Sequence, residues 1–178
     1  FTGIQLYKKT LGIIGLGRLG TMMASFGNGF NMNVIGCDIV EKNIKGVKQV
    51  SLEELLKSSD VITVHIHLTD ENKRFISSEL FHKMKKGVVL INTSRGAIID
   101  EDALLENLQT GRVSAAGLDV IHGEWDKNLY DHPLIKYARE HDNLVISPHI
   151  AGATVESIVG ARVFLAKKLA EYIKQRGN

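Results

Sequence analysis

Short apolar runs alternate with segments of helical periodicity along most of the chain. The runs are continuous rather than alternating and are rich in Val and Ile, a pattern typical of strands buried on both faces of a parallel sheet. We therefore predict strands at 10–15 (TLGIIG), 33–38 (NVIGCD), 61–66 (VITVHI), 87–92 (GVVLIN), 113–120 (VSAAGLDV) and 143–148 (NLVISP).

The segments between these runs have apolar residues at helical spacing and begin with residues that favour helix starts. Ser51 and Ser77 are good N-caps. Residues 100–102 place three acids near the positive end of a helix dipole. Helices are predicted over 18–30, 51–57, 77–85 and 100–109. Strands that alternate with helices imply right-handed βαβ units. The fold predicted for residues 1–178 is one α/β domain with a doubly wound parallel sheet in three αβα layers.

The longest helical candidate is the last segment, 152–176. Its apolar positions form a broad stripe, which is a candidate contact surface for a partner. They are Ile158, Val159, Val163, Leu165, Ala166, Leu169 and Ile173.

Composition and charge narrow the class of protein. The 178 residues are 44% hydrophobic and 24% charged, with a net charge of +2, a balance that argues against a nucleic-acid or membrane-surface partner. The single cysteine, Cys37, is expected to be an inert core thiol, and nothing indicates an oxidising compartment. No apolar run reaches the roughly 18–20 residues that span a bilayer. We expect a cytoplasmic protein.

Three glycines follow the first predicted strand directly and open the first predicted helix. Gly15, Gly17 and Gly20 form a GxGxxG pattern that permits a tight turn and a close approach of backbone to a pyrophosphate at a helix N-terminus. Asp38 lies 18 residues after Gly20, at the end of the next predicted strand. A carboxylate there can bind ribose hydroxyls and would repel a 2′-phosphate. The predicted fold is thus of the Rossmann type, and the predicted cofactor is NAD rather than NADP.

Polar groups follow three later strands at the sheet edge where ligands bind in such folds. Arg95 follows the strand at 87–92, Glu124 lies five residues after Asp119, and His149 stands at the end of the last strand. If the cofactor carries a hydride, His149 can exchange the accompanying proton while Glu124 holds its other ring nitrogen. Arg95 can grip a substrate carboxylate through its guanidinium.

Four segments of the chain together resemble the signature segments of the D-isomer-specific 2-hydroxyacid dehydrogenases. They are GLGRLG with Asp38, NTSRG, GLDV followed by Glu124, and SPHIAGAT. The resemblance extends from about Gly3 to about Lys174. It implies that Arg95, Glu124 and His149 are catalytic and act on a small 2-hydroxy or 2-oxo acid.

The resemblance also implies the residues that bind NAD. It assigns the pyrophosphate to backbone at Arg18 and Leu19 and the adenosine ribose to Asp38. It assigns the lining of the nicotinamide end to Ile66, His67, Thr93, Ser94, Arg95, Asp119, His149 and Gly152. By analogy with the family, a homodimer is expected.

Several features depart from the family pattern. His67 and Trp125 stand where proline is usual, and 126–142 is expected to be a longer loop than many members carry. Glu124 argues against the formate-type branch, which uses glutamine. The family's second, substrate-binding domain is missing from the chain, so we expect NAD binding with little or no turnover.

Two other kinds of function remain open. Corepressors of the C-terminal binding protein type share the Arg–Glu–His set, so the chain could be an NAD-sensing interaction module. It could also belong to another kind of Rossmann dehydrogenase.

Histidines elsewhere in the chain give no convincing metal site. His65 and His67 form an H-x-H pattern without a third and fourth ligand. His82, His122, His132 and His141 are expected to be solvated.

Overall fold

A computed structural model describes residues 3–126 and 128–176. The described part leaves out residues 1, 2, 127, 177 and 178. The sequence assigned these residues to the same domain, and it placed residue 127 in the predicted loop 126–142. Seven strands are described: β1 (Thr10–Ile14), β2 (Asn33–Cys37), β3 (Lys48–Gln49), β4 (Val61–Val64), β5 (Val88–Asn92), β6 (Val113–Leu118) and β7 (Leu144–Ile146). The helices are α1 (Arg18–Gly29), α2 (Leu52–Ser58), α3 (Ser78–Lys83), α4 (Glu101–Gln109), α5 (Pro133–Glu140) and α6 (Val155–Arg176).

The strands form one parallel sheet in the order β3-β2-β1-β4-β5-β6-β7. The order reverses between β1 and β4, where Leu11 is paired with Val61. This reversal is the switch point at which doubly wound sheets open a crevice beyond the carboxyl ends of their strands. The predicted α/β fold and parallel sheet are therefore confirmed.

Both faces of the central strand are covered. Ile13 packs in a cluster with Leu16, Ala24 and Val34, whereas Ile14 belongs to a larger cluster that extends along the sheet to β7. Neighbouring residues of a strand point to opposite faces, so two clusters on one strand mean helices on both sides. This is the three-layer arrangement that the continuous apolar runs predicted.

The prediction of a loop over 126–142 was wrong, because the segment contains α5. The helix-start signals were present in the sequence. His132 caps α5 by accepting the amide of Leu134 at Nδ1, and Pro133 occupies the first turn. Leu134 and Tyr137, one helical turn apart, are buried against the larger cluster.

The last helix, α6, begins at Val155, three residues later than predicted, and its side chains are exposed along its whole length. Within the described ranges, no helix combines the length and apolar character needed to cross a bilayer.

Candidate active site

The carboxyl ends of the strands bring the predicted site residues to one edge of the sheet. Gly15 follows β1, Asp38 follows β2, Thr93 follows β5, and Asp119 follows β6. His149 stands three residues beyond β7. Because all the strands are parallel, these residues lie at the same edge although they are far apart in sequence.

The three glycines differ in the space around them. Gly15 has φ +94°, and a Cβ there would lie 2.6 Å from the His65 carbonyl oxygen, so β1 and β4 approach closely at the switch point. A Cβ on Gly20 would overlap the Gly15 carbonyl oxygen. Gly17 is the opposite case, because a Cβ there would meet nothing within 4 Å. The backbone is therefore tight at both ends of the turn and open to a ligand in the middle.

The start of α1 is suited to an anion. Gly17 occupies the N-cap, and within the described residues no side chain caps the helix and no acid lies in its first turn. The first amide groups, including those of Arg18 and Leu19, therefore present unshared donors and the positive end of the helix dipole. A pyrophosphate fits both features.

Asp38 is held against this turn by its carboxylate. Oδ2 accepts the Leu16 amide at 2.7 Å, and Oδ1 accepts the Val40 amide at 3.0 Å. Partial burial opposes the charge, but these hydrogen bonds outweigh it and lower the pKa of Asp38. The carboxylate is ionised at neutral pH and fixed at the end of β2.

The single cysteine, Cys37, is half-buried beside this carboxylate. Burial raises the pKa of its thiol, and the charge of Asp38 raises it further.

A cavity of about 310 Å³ opens at the switch point. Its lining includes six of the residues predicted to contact the cofactor: Leu19, Ile66, His67, Thr93, Ser94 and Arg95. His65 also lines it, and no described residue hydrogen-bonds the buried Nδ1 of its ring. Burial lowers the pKa of His65. The open glycine turn, the uncapped helix and this cavity fit a dinucleotide.

Arg95 lines this cavity and is an exposed residue. Nη1 donates to the Ser94 carbonyl oxygen at 2.6 Å. The turn beneath it is held by Asn92, which is buried and donates to the Arg95 carbonyl oxygen at 3.0 Å while accepting from Ser94. Sequence reasoning missed Asn92, although a polar residue at the end of a buried strand was a usable signal.

His149 and Glu124 meet directly. The His149 Nδ1 lies 2.7 Å from Glu124 Oε1, and the Trp125 ring is centred 6.2 Å from the imidazole. His149 has φ +54°, a conformation that non-glycine residues adopt rarely and only where their surroundings hold them. The structure thus brings together the two residues that the sequence predicted as an acid/base pair.

Asp119 provides the support for that backbone conformation. Its Oδ1 accepts from the Ser147 hydroxyl at 2.6 Å and from the Ile150 amide at 3.0 Å, and its Oδ2 accepts the Ala151 amide at 3.0 Å. These bonds fix the loop on both sides of His149. Gly152 follows in an exposed turn. The sequence suggested Asp119 as a lining residue and gave no indication of this supporting role or of Ser147.

The H-x-H pattern does not form a cluster of metal ligands. His65 is half-buried with Nε2 2.9 Å from the Thr63 hydroxyl, whereas His67 is exposed. Across residues 3–126 and 128–176, no three His, Cys, Asp or Glu side chains are arranged to hold a metal ion.

The fold and the site define a dinucleotide-binding α/β domain. Residues 1–151 match the model of the D-isomer specific 2-hydroxyacid dehydrogenase, NAD binding domain. The chain belongs to this family and is its NAD binding domain, which confirms the family and the cofactor predicted from the sequence.

Characterised relatives are similar over nearly the whole chain. D-3-phosphoglycerate dehydrogenase of Bacillus subtilis is 41% identical over 98% of this chain and 33% of its own length. Glyoxylate reductase of Thermofilum pendens is 37% identical over 97% of this chain and 51% of its own. D-lactate dehydrogenase of Aquifex aeolicus, solved with NAD and lactic acid, is 37% identical with a TM-score of 0.86, over 98% of this chain and 56% of that one. The chain therefore spans about a third to just over half of the length of these relatives.

Proposed function

We propose that this chain is the cofactor-binding part of an NAD-dependent D-2-hydroxyacid dehydrogenase, which interconverts a D-2-hydroxy acid and the corresponding 2-oxo acid. The observation that carries the proposal is the 2.7 Å contact between His149 and Glu124 at the same sheet edge as the glycine turn. Hydroxy and oxo acids are also the compounds named for the relatives.

When bound, NAD would supply the hydride chemistry of the reaction. His149 supplies or accepts the proton at the substrate oxygen. Because Glu124 engages Nδ1, the imidazole orientation is fixed and Nε2 is the nitrogen that exchanges the proton. In the reductive direction the protonated ring donates, and in the oxidative direction the neutral ring accepts.

Arg95 binds the substrate carboxylate. Its exposed guanidinium has donors beyond the one used by Ser94, and a planar fork matches a carboxylate in two parallel hydrogen bonds. The Asn92 contacts beneath it keep the turn in place.

The cofactor is held by groups of this chain along the sheet edge. Gly15, Gly17 and Gly20 admit the pyrophosphate to the amides of Arg18 and Leu19. Asp38 binds the adenosine ribose with the acceptor capacity left beside its two backbone bonds. The residues that would line the nicotinamide end are Ile66, His67, Thr93, Ser94, Arg95, Asp119, His149 and Gly152.

The substrate specificity lies outside this chain. The chain spans only part of the length of its relatives. The resemblance to the family implies a second domain that supplies the other wall of the substrate cleft. The isolated chain binds NAD without appreciable turnover, and the whole protein is a homodimer that acts in the cytoplasm.

The proposal is tested by measuring NADH oxidation by the full-length protein with a panel of 2-oxo acids, which includes 3-phosphohydroxypyruvate. His149→Ala should lower kcat by about 10²- to 10⁴-fold, the usual contribution of a general acid, and leave the Kd for NADH nearly unchanged. His141→Ala is the matched control, because His141 is exposed, stacks on Tyr137 and is not among the residues that carry the proposed chemistry.

Two outcomes would contradict the proposal. One is an absence of turnover with every 2-oxo acid despite NAD binding, which would favour an interaction module. The other is an equal loss of turnover in the His149 and His141 variants.

A further inference from the structure

A second carboxylate–histidine cluster lies outside the site described above, at the start of α4. Glu101 is the first residue of this helix, and its carboxylate points away from solvent with 16% of the side chain exposed. Its Oε1 accepts the His122 amide at 2.7 Å, and its Oε2 lies 3.3 Å from the His132 Nε2. The mechanism above uses none of these three residues.

The two partners of Glu101 are the two ends of one loop. His122 follows β6 and His132 caps α5. The described residues of the loop between them, 122–126 and 128–132, include Glu124 and a short 3₁₀ helix, Leu129–Asp131. Glu124 lies in a tight turn, where Gly123 has φ +71° and its carbonyl oxygen accepts the Asp126 amide at 2.9 Å. Only this turn separates the Glu101 contact from the carboxylate that meets His149.

The same end of the loop is held by a second, independent contact. A Cβ on Gly96 would overlap the backbone of Ile121 and His122, so the strand end that carries Arg95 packs directly on the start of the loop. The loop is therefore fixed at its base by backbone packing on one side and by Glu101 on the other.

We infer that Glu101 is a positioning residue for the proposed reaction: by contacting both His122 and His132 it holds the loop that carries Glu124, so that Glu124 meets His149. This inference rests on the function proposed above. The prediction that His132 is solvated was wrong, because its side chain is only 16% exposed and belongs to this cluster.

The protonation states of the cluster support this role. His132 accepts the Leu134 amide at Nδ1, so the neutral ring carries its proton on Nε2, the nitrogen that lies 3.3 Å from Glu101 Oε2. Burial lowers the pKa of His132, and a hydrogen bond with the His122 backbone raises it in part. Burial raises the pKa of Glu101 to about 7, against the lowering effect of the His122 amide.

Protonation of Glu101 therefore has a structural consequence near neutral pH. The ionised carboxylate accepts the His122 amide and lies 3.3 Å from the His132 Nε2, whereas a carboxyl proton on Oε2 would face the Nε2 proton of His132. The charged groups around the cluster are Asp100 at the N-cap of α4 and Asp102 on α4, with Lys73 and Arg74 from the segment before α3. The contact that closes the loop is present above the pKa of Glu101 and weakens below it.

The test compares Glu101→Gln and Glu101→Ala with Asp102→Asn in the full-length protein. Glutamine keeps an acceptor for the His122 amide and loses the ionised contact with His132, whereas alanine loses both. Asp102 lies in the same helical turn with 89% of its side chain exposed, so Asp102→Asn controls for removing a charge there. We expect kcat to fall by up to about 100-fold in the alanine variant, because a small displacement of a catalytic group can lower the rate of an enzyme by this factor. The decrease in kcat should be smaller in the glutamine variant. KM and the Kd for NADH should change by less than about twofold, which is far below the change in kcat.

Two further readouts separate positioning from a general loss of stability. The reductive pH profile of the wild-type protein should decline on its acid side as Glu101 is protonated, and Glu101→Gln should lose this acid limb. Amide hydrogen exchange should quicken in residues 122–126 and 128–132 and not in β1 or β5.

Each result has a defined meaning. An unchanged acid limb in Glu101→Gln, or exchange that quickens throughout the sheet, would overturn the positioning role. If the wild-type protein turns over no 2-oxo acid, the proposed function fails, while local exchange in the glutamine variant still reports whether Glu101 holds the loop.

Discussion

Asp119→Asn should destabilise the protein by a pH-dependent amount, because the Asp119 side chain is buried and its two oxygens accept three hydrogen bonds. In the asparagine variant, Oδ1 can keep the Ser147 hydroxyl and the Ile150 amide, but the new NH₂ group faces the Ala151 amide, donor against donor. A hydrogen bond to a charged group contributes about 1.5–3 kcal/mol. The two remaining bonds also weaken, and the lower cost of burying an amide offsets part of the loss. We expect the free energy of unfolding to fall by about 2 kcal/mol at pH 7.

The pH dependence gives this prediction a definite sign. Burial opposes the charge of Asp119, but the hydrogen bonds from Ser147 and the two amides outweigh it and lower its pKa in the folded state. The stabilisation is therefore fully present above the unfolded pKa of about 3.9 and is lost as the pH falls through the folded value. The wild-type protein and the variant should converge in stability below that value.

Urea unfolding, monitored by far-ultraviolet circular dichroism, measures the loss of stability at pH 7. The same measurement repeated down to strongly acidic conditions gives its pH dependence. The m-value should not change, since the variant exposes the same surface on unfolding. Asp142→Asn, at an exposed position near β7, is the control and should change stability by less than about 0.5 kcal/mol. Equal stability of Asp119→Asn and wild type at pH 7, or a difference that persists undiminished in acid, would refute the reasoning.

The remaining predictions concern the glycine turn, the ribose carboxylate and the core. Gly17→Ala should weaken NAD binding but lower the free energy of unfolding by no more than about 1 kcal/mol, since its Cβ meets no atom within 4 Å. Gly20→Ala should lower the free energy of unfolding by more, because its Cβ overlaps backbone. Calorimetric titration with NAD measures the effect on binding, and urea unfolding measures the effect on stability. Asp38→Asn should weaken NAD binding and reduce the preference for NAD over NADP, because it removes the charge that repels a 2′-phosphate. The ratio of the dissociation constants of NAD and NADP measures this preference. Leu134→Ala, at a position 1% exposed, should destabilise by about 2–5 kcal/mol in urea unfolding. Leu165→Ala on α6, at a position 65% exposed, should change stability by less than about 0.5 kcal/mol.

The sheet was predictable because its central strands are buried on both faces, and such strands must be continuously apolar. The elements that were missed lack this signal. β3 is the two-residue edge strand Lys48–Gln49, which pairs with β2 through its backbone and contributes no apolar side chain to either cluster. α5 shows only two buried side chains, Leu134 and Tyr137, within a polar segment. Its cap and its N-terminal proline were the stronger evidence.

The candidate site was predictable in its position and less so in its contacts. Parallel strands end at one edge, so polar residues at strand ends are brought together whatever their separation in sequence. Sequence does not reveal whether a carboxylate at that edge faces a ligand or the protein backbone. Asp38 and Asp119 both accept backbone amides. The partnership of Glu101 with His132 depends on the path of a loop that the sequence pattern left undefined.

The contacts around His149 and Glu124 divide positioning between two other carboxylates. Asp119 fixes the loop that carries His149, and Glu101 joins the ends of the loop that carries Glu124. Neither loop has a regular hydrogen-bonding ladder at this point, so each depends on side-chain acceptors to hold its backbone amides. The 2.7 Å contact between His149 and Glu124 is the place where these two separately anchored loops meet. Its geometry therefore depends on both anchors, and a change at either one alters the distance although neither residue takes part in the proposed proton transfer.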